Sequence, residues 1–300
     1  MRIIVLGSGA GGGFPQWNCN CENCRLAWAN DPRVRARTQS SVAISADGAR
    51  WMLLNASPDL RQQIVATPAL HPRGSQRHSP ISGVFLTNGD VDHLTGLLTM
   101  REQQAFTIYG SRATLAQTSH GAFGVLNPNL VDRVEVELGA RVDPGLGFTI
   151  ETFAVPGKPP LYLEGAEIEQ QIGAETDSTI GLEISCDGRR VHYIPGCAKV
   201  TAALAARVSG ADALLFDGTT YTDDEMVRAG LSNKTAWRMG HVPMSGEGGS
   251  IAAFAKIPVG RKVFIHINNT NPVLREDSAE RAEVARAGWD VGHDGMEIVL

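Results

Sequence analysis

Long apolar runs are missing from this 300-residue chain, and so is any sustained block of one charge. No window approaches the roughly 20 apolar residues that a membrane-spanning helix needs, so no membrane span is expected. The opening Met1-Arg2-Ile3-Ile4-Val5-Leu6-Gly7 runs into glycines before reaching the length of a secretory apolar segment. Lys and Arg number 27 against 32 Asp and Glu, a net charge of −5, with no basic stripe or arm, which argues against nucleic acid as a partner. A cytoplasmic protein acting on a small molecule is the expectation. Cysteine is scarce as well. Of five, Cys19, Cys21 and Cys24 crowd together while Cys186 and Cys197 stand apart. An odd count in that arrangement is no disulfide framework and points to reduced thiols used for metal binding or burial.

What the chain does have is 43% apolar residues, enough for a large core. Short segments rich in Val, Ile, Leu and Phe predict strands at Arg2–Leu6, Ser41–Ile44, Trp51–Leu54, Gly83–Thr87, Ala105–Tyr109, Arg133–Leu138, Phe148–Val155, Gly181–Cys186, Arg190–Pro195, Ala213–Asp217, Lys262–Ile267 and Glu297–Leu300. Helical spacing falls at Ser57–Ala66, His93–Gln104, Ala198–Val208, Gly248–Lys256 and Glu276–Ala287. Strands arrive in groups of two or three before each helix. That order favours two mixed sheets with outer helices, a four-layered αββα sandwich of the α/β (α+β) class, over a strictly alternating parallel sheet. Pro68–Pro80 reads as one surface loop and not a linker. With no internal repeat in the sequence, one domain is expected over residues 1–300.

A strand followed by Gly7-Ser8-Gly9-Ala10-Gly11-Gly12-Gly13 invites a dinucleotide-binding reading. The context opposes it, because Phe14-Pro15-Gln16-Trp17-Asn18-Cys19 is no helix start and no acidic residue ends a second strand at the required distance. A tight turn packed near metal-bearing loops is preferred. The loop at 19–24 is more specific. Cys19-x-Cys21-x-x-Cys24 puts three thiols where a tetrahedral zinc takes them, and three soft ligands in a closed site indicate a structural role. Asn269, His293 and Asp31 are candidates for the fourth ligand.

The segment Phe85-Leu86-Thr87-Asn88-Gly89-Asp90-Val91-Asp92-His93-Leu94-Thr95-Gly96 resembles the His-x-His-x-Asp-His motif of the metallo-β-lactamase superfamily. Asn88 and Asp90 stand at the two leading histidine positions, while Asp92 and His93 keep the last two. The loop that supplies a third histidine in that superfamily reads Phe153-Ala154-Val155-Pro156-Gly157-Lys158-Pro159-Pro160, without one. Cys197, in Tyr193-Ile194-Pro195-Gly196-Cys197, stands where the bridging aspartate usually does. His266, ending Val263-Phe264-Ile265-His266, matches the superfamily's final histidine. The resemblance therefore implies one metal on Asp92, His93 and His266, with Asp90 and Asn88 as further candidates. Two imidazoles and a carboxylate with open positions are the ligand set of non-haem Fe(II) oxygenases, whereas two-metal hydrolysis needs a pair of cations. A lone histidine is often only a packed side chain, and Asp92 has the alternative of capping the helix it begins.

Along the whole chain the sequence resembles the family of coenzyme PQQ biosynthesis protein B. The resemblance rests on Gly7–Cys24, Leu54-Asn55-Ala56-Ser57-Pro58-Asp59-Leu60-Arg61, Asn88–His93, Phe216-Asp217-Gly218-Thr219, Met239-Gly240-His241-Val242-Pro243-Met244-Ser245-Gly246 and His266-Ile267-Asn268-Asn269-Thr270-Asn271-Pro272. A related phosphodiesterase family shares the cysteine loop and completes its zinc with a histidine where Asn269 stands here, which makes Asn269 the favoured fourth ligand. The resemblance implies a role in making pyrroloquinoline quinone (PQQ), whose skeleton derives from a crosslinked glutamate and tyrosine. The leading expectation is Fe(2+)-dependent hydroxylation of the tyrosine moiety beside a structural Zn(2+). His241 would contact substrate or move a proton, with Asp90 beside it. Asn55, Asp59, Arg61 and Asp217 would line the pocket, Arg61 as a carboxylate clamp. A carrier taking PQQ or its precursor to the periplasm is the rival reading, and a metal-dependent hydrolase a weaker one. Other PQQ biosynthesis proteins are expected partners, and a homodimer is compatible.

Overall fold

Fourteen strands, in chain order, build two sheets of the computed structural model, which describes residues 1–165 and 168–300. They are β1 (Arg2–Gly7), β2 (Ser41–Ser45), β3 (Trp51–Leu54), β4 (Ile81–Phe85), β5 (Phe106–Gly110), β6 (Val131–Glu135), β7 (Arg141–Val142), β8 (Thr149–Gly157), β9 (Ala174–Cys186), β10 (Arg189–Ile194), β11 (Ala211–Asp217), β12 (Val259–Ile265), β13 (Trp289–Val291) and β14 (Glu297–Val299). One sheet runs β14-β1-β2-β3-β4-β5-β6 and the other β13-β12-β11-β10-β9-β8-β7, so strands adjacent in sequence are adjacent in space. Each sheet begins with three antiparallel pairings and continues with three parallel ones. The two halves thus repeat one topology that their sequences do not show.

Both faces of each sheet are covered, which is why the strands read as continuous apolar runs and not as alternating ones. Between the sheets, Ile3, Val5, Ile44 and Phe85 meet Leu182, Tyr193, Leu215 and Ile265. On the outer face of the first sheet, Leu6, Trp51 and Leu53 pack under Leu60, Leu94 and Leu115 of the helices. On the outer face of the second, Phe216 and Phe264 pack with Leu204, Phe254 and Val284. Four layers result, as the strand grouping predicts. The boundary strands β7 and β13 and the helices Glu22–Trp28 and Arg112–Gln117 carry too little apolar periodicity to be read in advance.

The expected helix His93–Gln104 is corrected to a single α-turn, Val91–Leu94, followed by a 3₁₀ segment, Thr95–Met100. Gly96 sits against the Ser57 carbonyl, where a Cβ would collide with it, and the close packing breaks the regular helix there. The glycine-rich loop is no phosphate cradle. Its amides are used internally: Gly9 N–H donates to the Thr38 carbonyl at 2.8 Å, Ala10 to Ile267 at 2.9 Å and Gly12 to Gln39 Oε1 at 3.0 Å. Among the described residues, no helix is long and apolar enough to cross a membrane.

Candidate metal centre

Four loops converge at one edge of the sheets, three of them where parallel strands end, the usual place for ligand sites in such sheets. They follow β1, β4, β11 and β12. The loop after β4 carries Asn88–His93, that after β11 carries Asp217–Thr219, and β12 ends directly into His266. His266 adopts φ 55°, a left-handed conformation that a residue with a Cβ takes only where surrounding structure enforces it. Enforcement comes from the glycine loop, because Ile267 N–H donates to the Ser8 carbonyl at 2.8 Å and the Ile267 carbonyl accepts from Ala10.

Asp92, His93 and His266 place their ligand atoms within 4.8 Å of one another, all three side chains being largely or fully buried. The proton positions follow from the partners. Asn88 Oδ1 accepts from the Asp90 backbone N–H at 3.1 Å, so it is the oxygen that also lies 2.7 Å from His93 Nδ1, and that nitrogen must donate. Thr219 Oγ1 gives its single proton to Asp217 Oδ1 at 2.7 Å and therefore accepts from His266 Nδ1 at 2.9 Å. Both Nε2 atoms are left as lone-pair acceptors, and both face Asp92 Oδ2, at 3.7 Å from His93 and 3.1 Å from His266. His93 Nε2 is buried with no hydrogen-bond partner among the described residues. Acceptors gathered on acceptors call for a cation in between, and neutral imidazoles fixed through Nδ1 are the form in which histidine binds metal.

The electrostatics agree. Burial would push the Asp92 carboxyl up, but His93 and His266 hold it well below the usual carboxylate range. Burial lowers His93. Burial also opposes charge on His266, yet the hydrogen bond and charge of Asp92 outweigh it and raise it.

Asp90 half lines the cavity but stands outside the triad, and Asn88, not Asp90, fixes the His93 ring. Asp90 is also the residue at the helix cap position, which removes the capping role considered for Asp92. His241 Nδ1 lies 2.7 Å from Asp217 Oδ2 and its ring stacks on His266 at 5.2 Å between centroids. Asp217, His241 and His266 also group closely enough to hold a cation. Asp217, however, is buried and already accepts from the Cys197 and Thr219 amides, the Thr219 hydroxyl and His241, which makes it an orienting group that leaves His241 Nε2 free. Burial would raise Asp217, and the neighbouring His241 outweighs it and lowers it. The Cys197 thiol points to the Lys199 carbonyl at 3.1 Å, away from both groups.

The expected pocket lining is corrected at four positions. Asn55 is fully buried below the site, bonded to Thr87 and Tyr193 across the two sheets. Asp59 accepts from Gln39, and Arg61 is exposed on the helix Leu60–Ala66. Asp217 lies beneath His241 and does not line the cavity. The cavity itself holds about 280 Å³, at the small end of ligand pockets. Its walls also bring in Lys158, Leu161, Glu164, Lys234, Met239 and Asn268, none of which the sequence marks as a pocket residue.

The cysteine loop is built as a separate centre. Cys19, Cys21 and Cys24 group within 4.8 Å, and the buried Asn269 amide reaches their sulfurs at 3.0, 3.9 and 3.3 Å. A hydrogen bond from Cys21 brings the Cys24 thiol down to about 7, and the same contact pushes Cys21 up, so the pair shares its protons. Turning the Asn269 amide over would present Oδ1 to the same point, giving a closed set of four. His293 and Asp31 are corrected as candidates: His293 contacts the Asp294 carbonyl and Asp31 is paired with Arg33.

Comparison with known proteins adds four findings. A beta-lactamase superfamily domain model matches residues 50–267. Coenzyme PQQ synthesis protein B of Methylobacterium nodulans is 58% identical over 301 aligned positions, covering 100% of both chains. Among solved structures, Zn(2+)-bound PqqB from Methylobacterium extorquens superposes with a TM-score of 0.98 at 58% identity over 100% of both chains. A diphosphatase from the PhnP family shares the fold alone, at 19% identity and a TM-score of 0.69 over 99% of this chain and 97% of that one.

Proposed function

Since the chain belongs to the coenzyme PQQ synthesis protein B family and so serves PQQ synthesis, we propose that it is a non-haem iron hydroxylase acting on the tyrosine moiety of the glutamate–tyrosine precursor. The observation that carries the reading is the pair of bare Nε2 atoms facing one carboxylate oxygen, His93 and His266 on Asp92. Such a set binds one divalent cation and leaves coordination positions open. An iron held there would supply dioxygen activation, the overall reaction taking one O₂, two electrons from an external donor and two protons, and giving the hydroxylated ring and water.

The chain's own residues do the rest. Asn88 and Thr219 lock the two imidazoles in the ligating tautomer. His241, held through Nδ1 by Asp217, presents Nε2 for proton exchange with the substrate's phenolic oxygen. Leu161 and Met239 give the cavity an apolar surface for the ring. Cys19, Cys21, Cys24 and Asn269 would hold a structural zinc that ties the loop after β1 to the loop after β12, a reading supported by the zinc-bound relative. Lys158, in the loop that supplies a third histidine in the superfamily, puts a cation beside the site and disfavours a second metal there.

Anaerobic titration with Fe(II), followed by O₂ and the glutamate–tyrosine substrate, tests the reading. One iron per chain in the triad and an oxygenated product are expected, and His266→Ala should abolish turnover. Equal activity with zinc would rule out the redox assignment, and tight PQQ binding without turnover would favour the carrier.

A further inference from the structure

Lys158, Glu164 and Lys234 line the cavity and, with Arg238 behind Glu164, make a knot of charge that the hydroxylation reading does not use. Glu164, with a side chain only 10% exposed, receives Lys158 Nζ at 3.1 Å, Arg238 Nη2 at 3.1 Å and Lys234 Nζ at 3.6 Å. Three cations on one carboxylate leave a surplus of two positive charges among the described residues. Donor counting gives the same result. Two ammonium groups and a guanidinium carry about eleven N–H donors, whereas a carboxylate accepts about four. Lys158 spends one more on the Pro159 carbonyl, while Arg238 Nη1 and Glu164 Oε1 are both buried without a hydrogen-bond partner among the described residues, so the surplus lies on the two ammonium groups. Surplus donors around a fixed internal carboxylate make a preorganised receptor for further carboxylates, because the cations are already gathered and partly desolvated.

Resting on the proposed reaction, we infer that Lys158 and Lys234, held in place by Glu164 and its partner Arg238, form the subsite that binds the substrate's carboxylates. A crosslinked glutamate–tyrosine diamino acid suits it, since glutamate brings two carboxylates and tyrosine one. Lys158 and Lys234 line the same cavity as Asp92, His93 and His266, so one bound molecule can meet both groups. Arg61, exposed and outside the cavity, is replaced in the clamp role by these two lysines.

The test is binding, measured by calorimetry on the full-length Zn(II)-loaded protein, so that it stands whether or not the iron reading holds. The probes are the crosslinked diamino acid and free tyrosine. Lys158→Gln and Lys234→Gln should each weaken the diamino acid by at least about tenfold and tyrosine by less than about twofold, as expected for loss of a charge-assisted hydrogen bond. Lys234→Arg should restore most of the affinity, and raising the salt from about 0.05 to about 0.3 M should weaken the diamino acid more than tyrosine. Lys234 is one-third exposed, so its substitution spares the fold. Equal losses for both probes, or a diamino acid affinity within about twofold of the parent in both Gln variants, would overturn the inference.

Discussion

Replacing Asn88 by Ala isolates the claim that the His93 ring is preset for a cation. The substitution removes the acceptor 2.7 Å from His93 Nδ1 and leaves a buried N–H unpaired. An unpaired buried donor costs about 1–3 kcal/mol, and loss of an outer partner of a metal-binding histidine typically costs about 10- to 100-fold in affinity. The two estimates meet, since 1.4 kcal/mol is about tenfold. Metal affinity of Asn88→Ala should therefore fall by about 10- to 100-fold. Mn²⁺ is a suitable probe in calorimetry, because it prefers oxygen and imidazole donors and avoids the thiolates of the cysteine loop. Asn88→Asp, which keeps an acceptor, should bind within about threefold of the parent. Asp90→Asn should do likewise, since the Asp90 carboxylate stands outside the triad. An Asn88→Ala affinity within about twofold of the parent, or a larger loss in Asp90→Asn, would refute the reasoning.

Gly11 lies with its would-be Cβ 3.5 Å from the Asp92 carboxylate carbon, so Gly11→Ala should keep metal affinity while Gly11→Val, reaching further, should lower it without loss of fold, as read by Mn²⁺ titration and circular dichroism. Burial lifts the Glu225 carboxyl to about 7. The folded state then holds a proton that the unfolded chain releases, so stability should fall as pH rises from about 4.5 to 7, by up to about 3 kcal/mol. Glu225→Gln should flatten that slope in urea melts at pH 5 to 8, and parallel slopes would count against the assignment. Stripping zinc from Cys19, Cys21 and Cys24 should lower Tm by about 6 °C when zinc had been present at about a thousand times its Kd, from about 4 kcal/mol of linkage against the unfolding entropy of 300 residues. A Tm unchanged on chelation would remove the structural role.

The four-layer architecture was legible because strands buried on both faces are apolar throughout, as in Val263-Phe264-Ile265 and Leu214-Leu215-Phe216. The triad was legible because Asp92-His93 and His266 stand at positions that resemble the metal-ligand positions of the metallo-β-lactamase superfamily. The cation wall was not. Lys158, Glu164, Lys234 and Arg238 come from separated loops, and nothing local distinguishes a lysine that converges on a cavity from one that faces water. Asn55, Asp59 and Arg61 misled for the opposite reason. They are adjacent in sequence to the strand end of β3, but Asn55 turns inward to brace Thr87 and Tyr193 while the helix carries Arg61 out to solvent.

Mass spectrometry of the product formed under ¹⁸O₂ by the Fe(II)-loaded protein tests the hydroxylase reading most directly. A single heavy oxygen in the tyrosine-derived ring, lost in His266→Ala and absent when zinc replaces iron, is the expected result. An unlabelled product, or the same label with zinc in the triad, would contradict it.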